Sequence, residues 1–136
     1  MRIRLWLAIG VALLATSLPI ACMHSAEQAR RRETGYQEQL AAFSHALKPG
    51  MTRKEVESYL RKNGRQFLQM CCMGTHGSAL DDLTRIGQEG HPWYCSAHNV
   101  YIGFEFVSDG SHKSWEADDS DRLKSVQIYH WLVGCL

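Results

Sequence analysis

Residues 47–60 read LKPGMTRKEVESYL and contain the predicted end of one helix and the predicted start of another. The Lys-Pro-Gly sequence at 48–50 ends the first helix, because proline lacks an amide hydrogen and glycine readily adopts the left-handed backbone. Thr52 and Glu55 have the spacing of a capping box, in which each side chain accepts a hydrogen bond from the other residue's backbone amide. The stretch therefore predicts two helices joined by a short turn.

Apolar residues on both sides of this turn follow helical spacing. Intervals of four, three and four residues separate the apolar residues before it, which are Tyr36, Leu40, Phe43 and Leu47. This spacing predicts one buried stripe on a helix that begins near Ala26. The second helix has Val56, Tyr59 and Leu60 on its apolar face, and Gly64 is expected to end it.

The later part of the chain has strand periodicity. Apolar and other residues alternate over 100–107 and 121–133, which predicts two antiparallel strands joined by an acidic, hydrophilic loop at 108–121. A first strand is predicted at 65–73, and residues 80–86 could add one short element. The predicted fold class is α+β. An N-terminal signal or anchor segment comes first, then two helices, then an antiparallel sheet of three strands, or of four if residues 80–86 add one.

The motif at 47–60 resembles the G-M-T-x-x-E-V-x-x-x-L signature of the BamE/SmpA family of small outer-membrane lipoproteins, which share a fold with β-lactamase-inhibitor proteins. The resemblance implies two helices followed by an antiparallel sheet, and the strands at 100–107 and 121–133 are similar to its last hairpin. Arg-Lys-Asn-Gly at 61–64 replaces the Gly-x-Pro usual in that family, residues 74–98 form a long insertion, and four cysteines are added. The resemblance implies a role in outer-membrane assembly only by analogy of fold.

The N-terminal segment has the pattern of an export signal. Arg2 and Arg4 precede an uncharged run at 5–21, and Cys22 follows it. The sequence favours a lipoprotein with Cys22 as the lipidated residue, although Pro19 stands where an aliphatic residue is usual. An uncleaved anchor is an alternative, because about 17 apolar residues can just span a bilayer, and a soluble secreted product is another. All three place the remaining chain outside the cytoplasm, on the periplasmic side of the envelope.

The expected domains are a signal peptide or anchor at 1–21 and one small domain at 22–136. The chain has 15 basic residues including Arg2 and Arg4, which leaves 13 basic against 14 acidic side chains from residue 22 onwards. This balance gives no basis for nucleic-acid binding. The expected partners are the membrane surface, through the anchor or lipid, and an envelope protein. The sequence has no catalytic signature, so we expect a binding module without enzymatic activity, catalytic residues or cofactor.

Four cysteines follow Cys22, and an even number in an exported domain predicts disulfides. If the last two strands pair with their apolar faces together, and Val107 lies opposite Leu123, then Cys95 faces Cys135 at a distance that suits a disulfide. Cys71 and Cys72 remain. They could form a vicinal ring, bridge another chain, or replace one member of the first pair.

A metal site is the alternative interpretation of the same residues. The cysteines and histidines whose spacing suits tetrahedral zinc are Cys71, Cys72, His76, His91, Cys95 and His98. An exported protein lies in an oxidising compartment, so disulfides are favoured over a zinc site for these cysteines. The alternative function is therefore a periplasmic thiol-redox or metal-handling protein that uses this cluster.

Aromatic residues gather near the predicted strands, at Trp93, Tyr94, Tyr101, Tyr129 and Trp131. A domain this small needs its aromatic side chains for stability. We therefore expect them to pack in the core rather than to form a binding platform.

Overall fold

The computed structural model of the chain describes residues 25–71, 80–108, 110 and 116–136. The chain divides into two units, with the boundary between Gly35 and Tyr36. In the described part of the first unit, residues 25–35 are helical, and an exposed ion pair joins Arg31 Nε to Glu27 Oε1 at 3.0 Å. The predicted domain start at residue 22 lies outside the described residues.

The described residues confirm an α+β fold in which two helices precede a four-stranded antiparallel sheet in the order β1-β2-β3-β4. The elements are α1, whose described part is 25–46, α2 at Arg53–Lys62, β1 at Leu68–Cys71, β2 at Leu80–Glu89, β3 at Ala97–Val107 and β4 at Arg122–Val133.

The predicted capping box begins α2. Thr52 Oγ1 accepts a hydrogen bond from Glu55 N at 3.3 Å, and Glu55 Oε2 accepts one from Thr52 N at 2.7 Å. Hydrogen bonds from the Thr52 side chain and backbone lower the pKa of Glu55, because they favour the charged carboxylate. Gly64, just beyond the helix, has a φ of +66°, as its predicted role requires.

The core lies between the helices and one face of the sheet. Its buried members are Phe43, Leu47, Val56, Leu60, Ile102, Phe104, Phe106 and Leu123. The predicted stripe on α1 and the apolar face of α2 both contribute to it. Phe43 meets Phe104 edge to face, with 5.4 Å between the ring centroids.

The pairing of β3 with β4 agrees with the predicted register over most of its length. Residues run opposite each other from Ala97 with Val133 to Glu105 with Ser125. The predicted pairing at the loop is wrong by one residue, because Val107 lies opposite Arg122 rather than Leu123. A bulge after Glu105 takes up the difference. The predicted register therefore holds on the side of the bulge away from the loop.

Strand β2 is longer than the predicted element at 80–86. It extends over Leu80–Glu89 and makes the sheet four-stranded. A bulge between Arg85 and Gly87 breaks its alternation. Gly87 is required because the Tyr36 ring lies against the strand, where a Cβ on residue 87 would come within 2.5 Å of Tyr36 Oη.

A buried arginine connects α2 to the sheet. Arg53 is 1% exposed, and its Nη1 donates to Asp82 Oδ1 on β2 at 2.7 Å. Its Nη2 lies 3.1 Å from Asp121 Oδ2, just before β4, and the guanidinium lies 4.0 Å from the centre of the Phe106 ring. Asp121 was expected in a hydrophilic loop but is buried, because its carboxylate pairs with Arg53. This arginine therefore fixes the start of α2 against two distant segments.

Candidate functional site

A disulfide closes one end of the sheet. Cys95, in the segment before β3, is bonded to Cys135, which follows β4, and their Cα atoms are 4.0 Å apart. The two segments also share backbone hydrogen bonds, from Ser96 N to Val133 O at 2.9 Å and from Leu136 N to Tyr94 O at 3.0 Å. The predicted Cys95–Cys135 pairing is therefore present in the structure.

Gly134 allows the chain after β4 to reach this disulfide. Its φ is +60°, and a Cβ there would come within 2.5 Å of Ser96 Oγ. A residue with a side chain would be strained in this conformation and would displace the Ser96 side chain. The glycine therefore permits the close approach that brings Cys135 to Cys95.

The segments joined by the disulfide carry most of the large apolar side chains that are exposed in the described residues. Six large apolar side chains are exposed in the described part of the chain, and five of them are here. We call these five the Trp93 patch, which consists of Trp93, Tyr94, Leu132, Val133 and Leu136. A concentration of apolar side chains on an otherwise soluble surface marks an interaction site.

The expectation that all five aromatic residues pack in the core holds only for Tyr101, which is buried. Tyr129 and Trp131 are half-buried outside the core cluster, Trp93 is 90% exposed and Tyr94 is also exposed. The reason is position: Trp93 and Tyr94 lie in a turn between β2 and β3 that is closed by a hydrogen bond from Cys95 N to Pro92 O at 3.0 Å. Their rings meet edge to face, with 5.9 Å between the centroids.

An open groove of about 410 Å³ borders the Trp93 patch. Its lining residues are Met70, Asn99, Tyr101, Trp131, Leu132, Val133 and Gly134. Tyr101 and Trp131 belong to the sheet face opposite the helical core, because they alternate with the core-facing residues of β3 and β4. The patch and the groove share Leu132 and Val133, so they adjoin at the end of β4.

The structure does not assemble the predicted Cys/His cluster from its described members. The Cys95 sulfur is bonded to Cys135, and Cys71 is also disulfide-bonded, so neither thiolate is available to a metal ion. His91 is exposed, and its Nδ1 lies 3.1 Å from Pro92 O. The other two cysteine and histidine members, Cys72 and His76, lie outside the described residues, as does Cys22.

His98, the remaining member, joins a different group. Glu89 Oε2 lies 3.5 Å from His98 Nδ1 and 3.5 Å from His130 Nδ1. The two imidazole centroids are 5.6 Å apart, and Tyr36 packs edge-on against His130 at 6.4 Å. The three residues are brought together by three adjacent strands, β2, β3 and β4.

Sequence reasoning missed Glu89 and His130 as candidate site residues. A signal for His130 was present, because it occupies a core-facing position in the alternation of β4, between Ile128 and Leu132. A polar ring at such a position needs a partner. Glu89 gave no such signal, since the strand that carries it was not expected to extend so far.

Comparisons of the chain with protein-family models, with curated proteins and with solved structures find no match. Within the described residues, the helices lack an apolar stretch of membrane-spanning length.

Proposed function

We propose that the protein is an exported, envelope-tethered binding module that engages an envelope protein through the Trp93 patch. The observation that carries the proposal is Trp93 itself, 90% exposed on a turn that a disulfide and backbone hydrogen bonds hold in place. Exposed tryptophan and tyrosine side chains supply much of the binding energy at protein interfaces. A turn that is already ordered loses little conformational entropy when it binds.

Export and tethering are supported by the sequence and by the disulfide. Disulfides persist in oxidising compartments, so the Cys95–Cys135 bond favours a location outside the cytoplasm. The basic and apolar pattern before Cys22 supports a lipoprotein signal. The resemblance of residues 47–60 to the BamE/SmpA signature implies the same kind of location. We therefore propose Cys22 as the lipid-bearing residue.

A protein partner fits this surface better than a lipid bilayer does. The groove beside the patch is concave, and Tyr101 and Trp131 line it, so a partner's apolar side chain can enter it. Residues 66–136 also contain four lysines and arginines against nine aspartates and glutamates. An anionic membrane surface would repel this part of the chain.

Site-specific photo-crosslinking in intact bacterial cells tests the proposal. A photoreactive amino acid replaces Trp93 in the full chain, and the matched control carries it at Lys124, an exposed residue of β4 outside the patch. We expect a discrete protein adduct from position 93 and none from position 124. Adducts to lipid alone, equal adducts from both positions, or no adduct from position 93 would contradict the proposal.

The alternative function, thiol-redox or metal handling by the Cys/His cluster, has less support. Its described cysteines are disulfide-bonded, and Cys95 lies with Cys135 at the end of two paired strands. This position suits a structural disulfide that holds β3 and β4 together, rather than a redox-active one. Mass spectrometry of the protein prepared without reductant distinguishes the two, since reduced thiols would favour the alternative.

A further inference from the structure

We propose that Glu89, His98 and His130 form a binding site for a divalent transition-metal ion of the zinc type. Their ligand atoms all lie within 4.8 Å of one another. The site shares no residue with the Trp93 patch, so it does not depend on the proposed function.

The distances suit a tetrahedral ion. Zinc binds histidine nitrogen and carboxylate oxygen at about 2.0–2.2 Å, which places two ligand atoms of a tetrahedral site about 3.3–3.5 Å apart. Glu89 Oε2 lies 3.5 Å from Nδ1 of His98 and 3.5 Å from Nδ1 of His130. Both glutamate–histidine separations therefore already match two edges of a zinc tetrahedron.

The same distances are too long for good direct hydrogen bonds. An N–H···O bond normally spans about 2.7–3.2 Å between the heavy atoms. The Glu89 carboxylate thus lies between two imidazoles without making a normal hydrogen bond to either ring. An ion between the three groups would satisfy all of them at once.

The sheet holds the three ligands in place. Glu89 on β2 lies directly opposite His98 on β3. His98 lies opposite Leu132 on β4, two residues from His130 and therefore on the same face of the sheet as His130. Each ligand comes from a different strand, so the geometry depends on backbone pairing rather than on a mobile loop.

Packing around the site restricts one ligand further. The Tyr36 ring lies edge-on to His130, with 6.4 Å between the centroids, and it can occupy that place because residue 87 is glycine. The side chains of Glu89 and His98 are about one quarter exposed, and that of His130 is 40% exposed. Three protein ligands in a partly open site leave room for a fourth ligand from solvent, a substrate or a partner.

The ligand types select the class of ion. Two imidazoles and one carboxylate suit zinc, copper or nickel, whereas calcium and magnesium prefer sites made of oxygen atoms. Zinc ion is the probe for the test. The full chain is prepared without a histidine tag and without reductant, treated with a chelator, and titrated with zinc by isothermal titration calorimetry.

We expect one zinc ion per chain with a dissociation constant in the micromolar range. Glu89→Gln and His130→Asn should each weaken binding by at least about tenfold, since each removes a direct ligand. His91→Asn is the matched control, because His91 is an exposed histidine outside the site, and it should leave the affinity unchanged. Circular dichroism of the metal-free variants establishes that they fold.

A second measurement on the wild type does not depend on any variant. In an NMR titration, zinc should shift the imidazole resonances of His98 and His130 and leave those of His91 in place. Absence of saturable binding below about 1 mM, binding that survives His130→Asn, or shifts confined to other histidines would overturn the proposal. Trp93→Ala should not change zinc affinity, so failure of the proposed partner surface is distinguishable from failure of this site.

Discussion

Replacing Asp82 with asparagine should change how the stability of the protein depends on pH. One buried cation, Arg53, forms ion pairs with two buried carboxylates, those of Asp82 and Asp121. Asp82 Oδ1 accepts from the arginine, but Oδ2 is buried without a hydrogen-bond partner in the described part of the chain. Burial in this setting raises the pKa of Asp82 to about 7, because the charged form has lost its water and is only partly compensated by Arg53.

The sign of the effect follows from proton binding. The ordinary pKa of this carboxyl is 3.8 and its pKa in the folded protein is about 7. Between these values the folded state keeps a proton that the unfolded state releases, so the free energy of unfolding falls as the pH rises. A difference of about three pKa units corresponds to at most about 4 kcal/mol. The loss begins near the lower pKa and is complete above the higher one.

The contribution of Asp82 to the free energy of unfolding is measured by urea unfolding. The wild type and Asp82→Asn are compared at about pH 4.5, 5.5, 6.5 and 7.5. Asparagine carries no charge at any of these pH values, so the variant lacks the contribution of the Asp82 carboxyl to the pH dependence. The stability of the variant relative to wild type should therefore rise by several kcal/mol between the lowest and highest pH.

Asp119→Asn is the matched control. Asp119 is exposed and lies 3.9 Å from Lys54 Nζ, so its removal should leave the pH dependence unchanged. The reasoning fails if the difference between wild type and Asp82→Asn is constant with pH. It also fails if the variant loses stability relative to wild type as the pH rises.

Three further predictions concern the disulfide, the helix cap and the N-terminal cysteine. Changing both Cys95 and Cys135 to serine opens a loop of 40 residues, which should lower the free energy of unfolding by about 4 kcal/mol in urea melts. Thr52→Ala should cost about 1 kcal/mol, and Glu55→Ala should add less than its own separate effect, because both belong to one capping box. Cys22→Ser should abolish incorporation of radiolabelled palmitate.

Each of these three has a distinct contrary outcome. An unchanged urea midpoint in the double serine variant would show that the Cys95–Cys135 bond does not constrain the unfolded chain. Fully additive effects of Thr52→Ala and Glu55→Ala would show that the two side chains do not act together as one capping box. Equal labelling of wild type and Cys22→Ser would remove the lipoprotein interpretation.

The parts of the fold that sequence predicted correctly depend on local chemistry. The capping box uses two residues three positions apart, and the α1 stripe repeats every turn, so both are visible without knowledge of distant contacts. The register of β3 and β4 was also predictable, because matching two apolar faces leaves few pairings. Its error at Leu123 came from a bulge, which alternation alone does not reveal.

The parts that sequence missed depend on distant contacts. Strand β2 extends three residues beyond the expected element at 80–86, past a bulge between Arg85 and Gly87 that interrupts its alternation. The burial of Asp82 was not visible either, because its partner Arg53 lies 29 residues earlier. Asp121 looks solvated for the same reason, since its partner Arg53 is 68 residues away. Buried charges of this kind are stable only when the fold supplies their partners.

One register ties together the features at the disulfide end of the sheet. Pairing of Ala97 with Val133 and His98 with Leu132 brings Cys95 to Cys135 just beyond the strands. The same pairing sets His130 beside His98 on the helical face and Trp131 near Tyr101 on the other. A slip of two residues would preserve the apolar alternation yet separate the sulfurs and the two imidazoles. The disulfide therefore selects, among registers that hydrophobic packing alone tolerates, the one that forms both candidate sites.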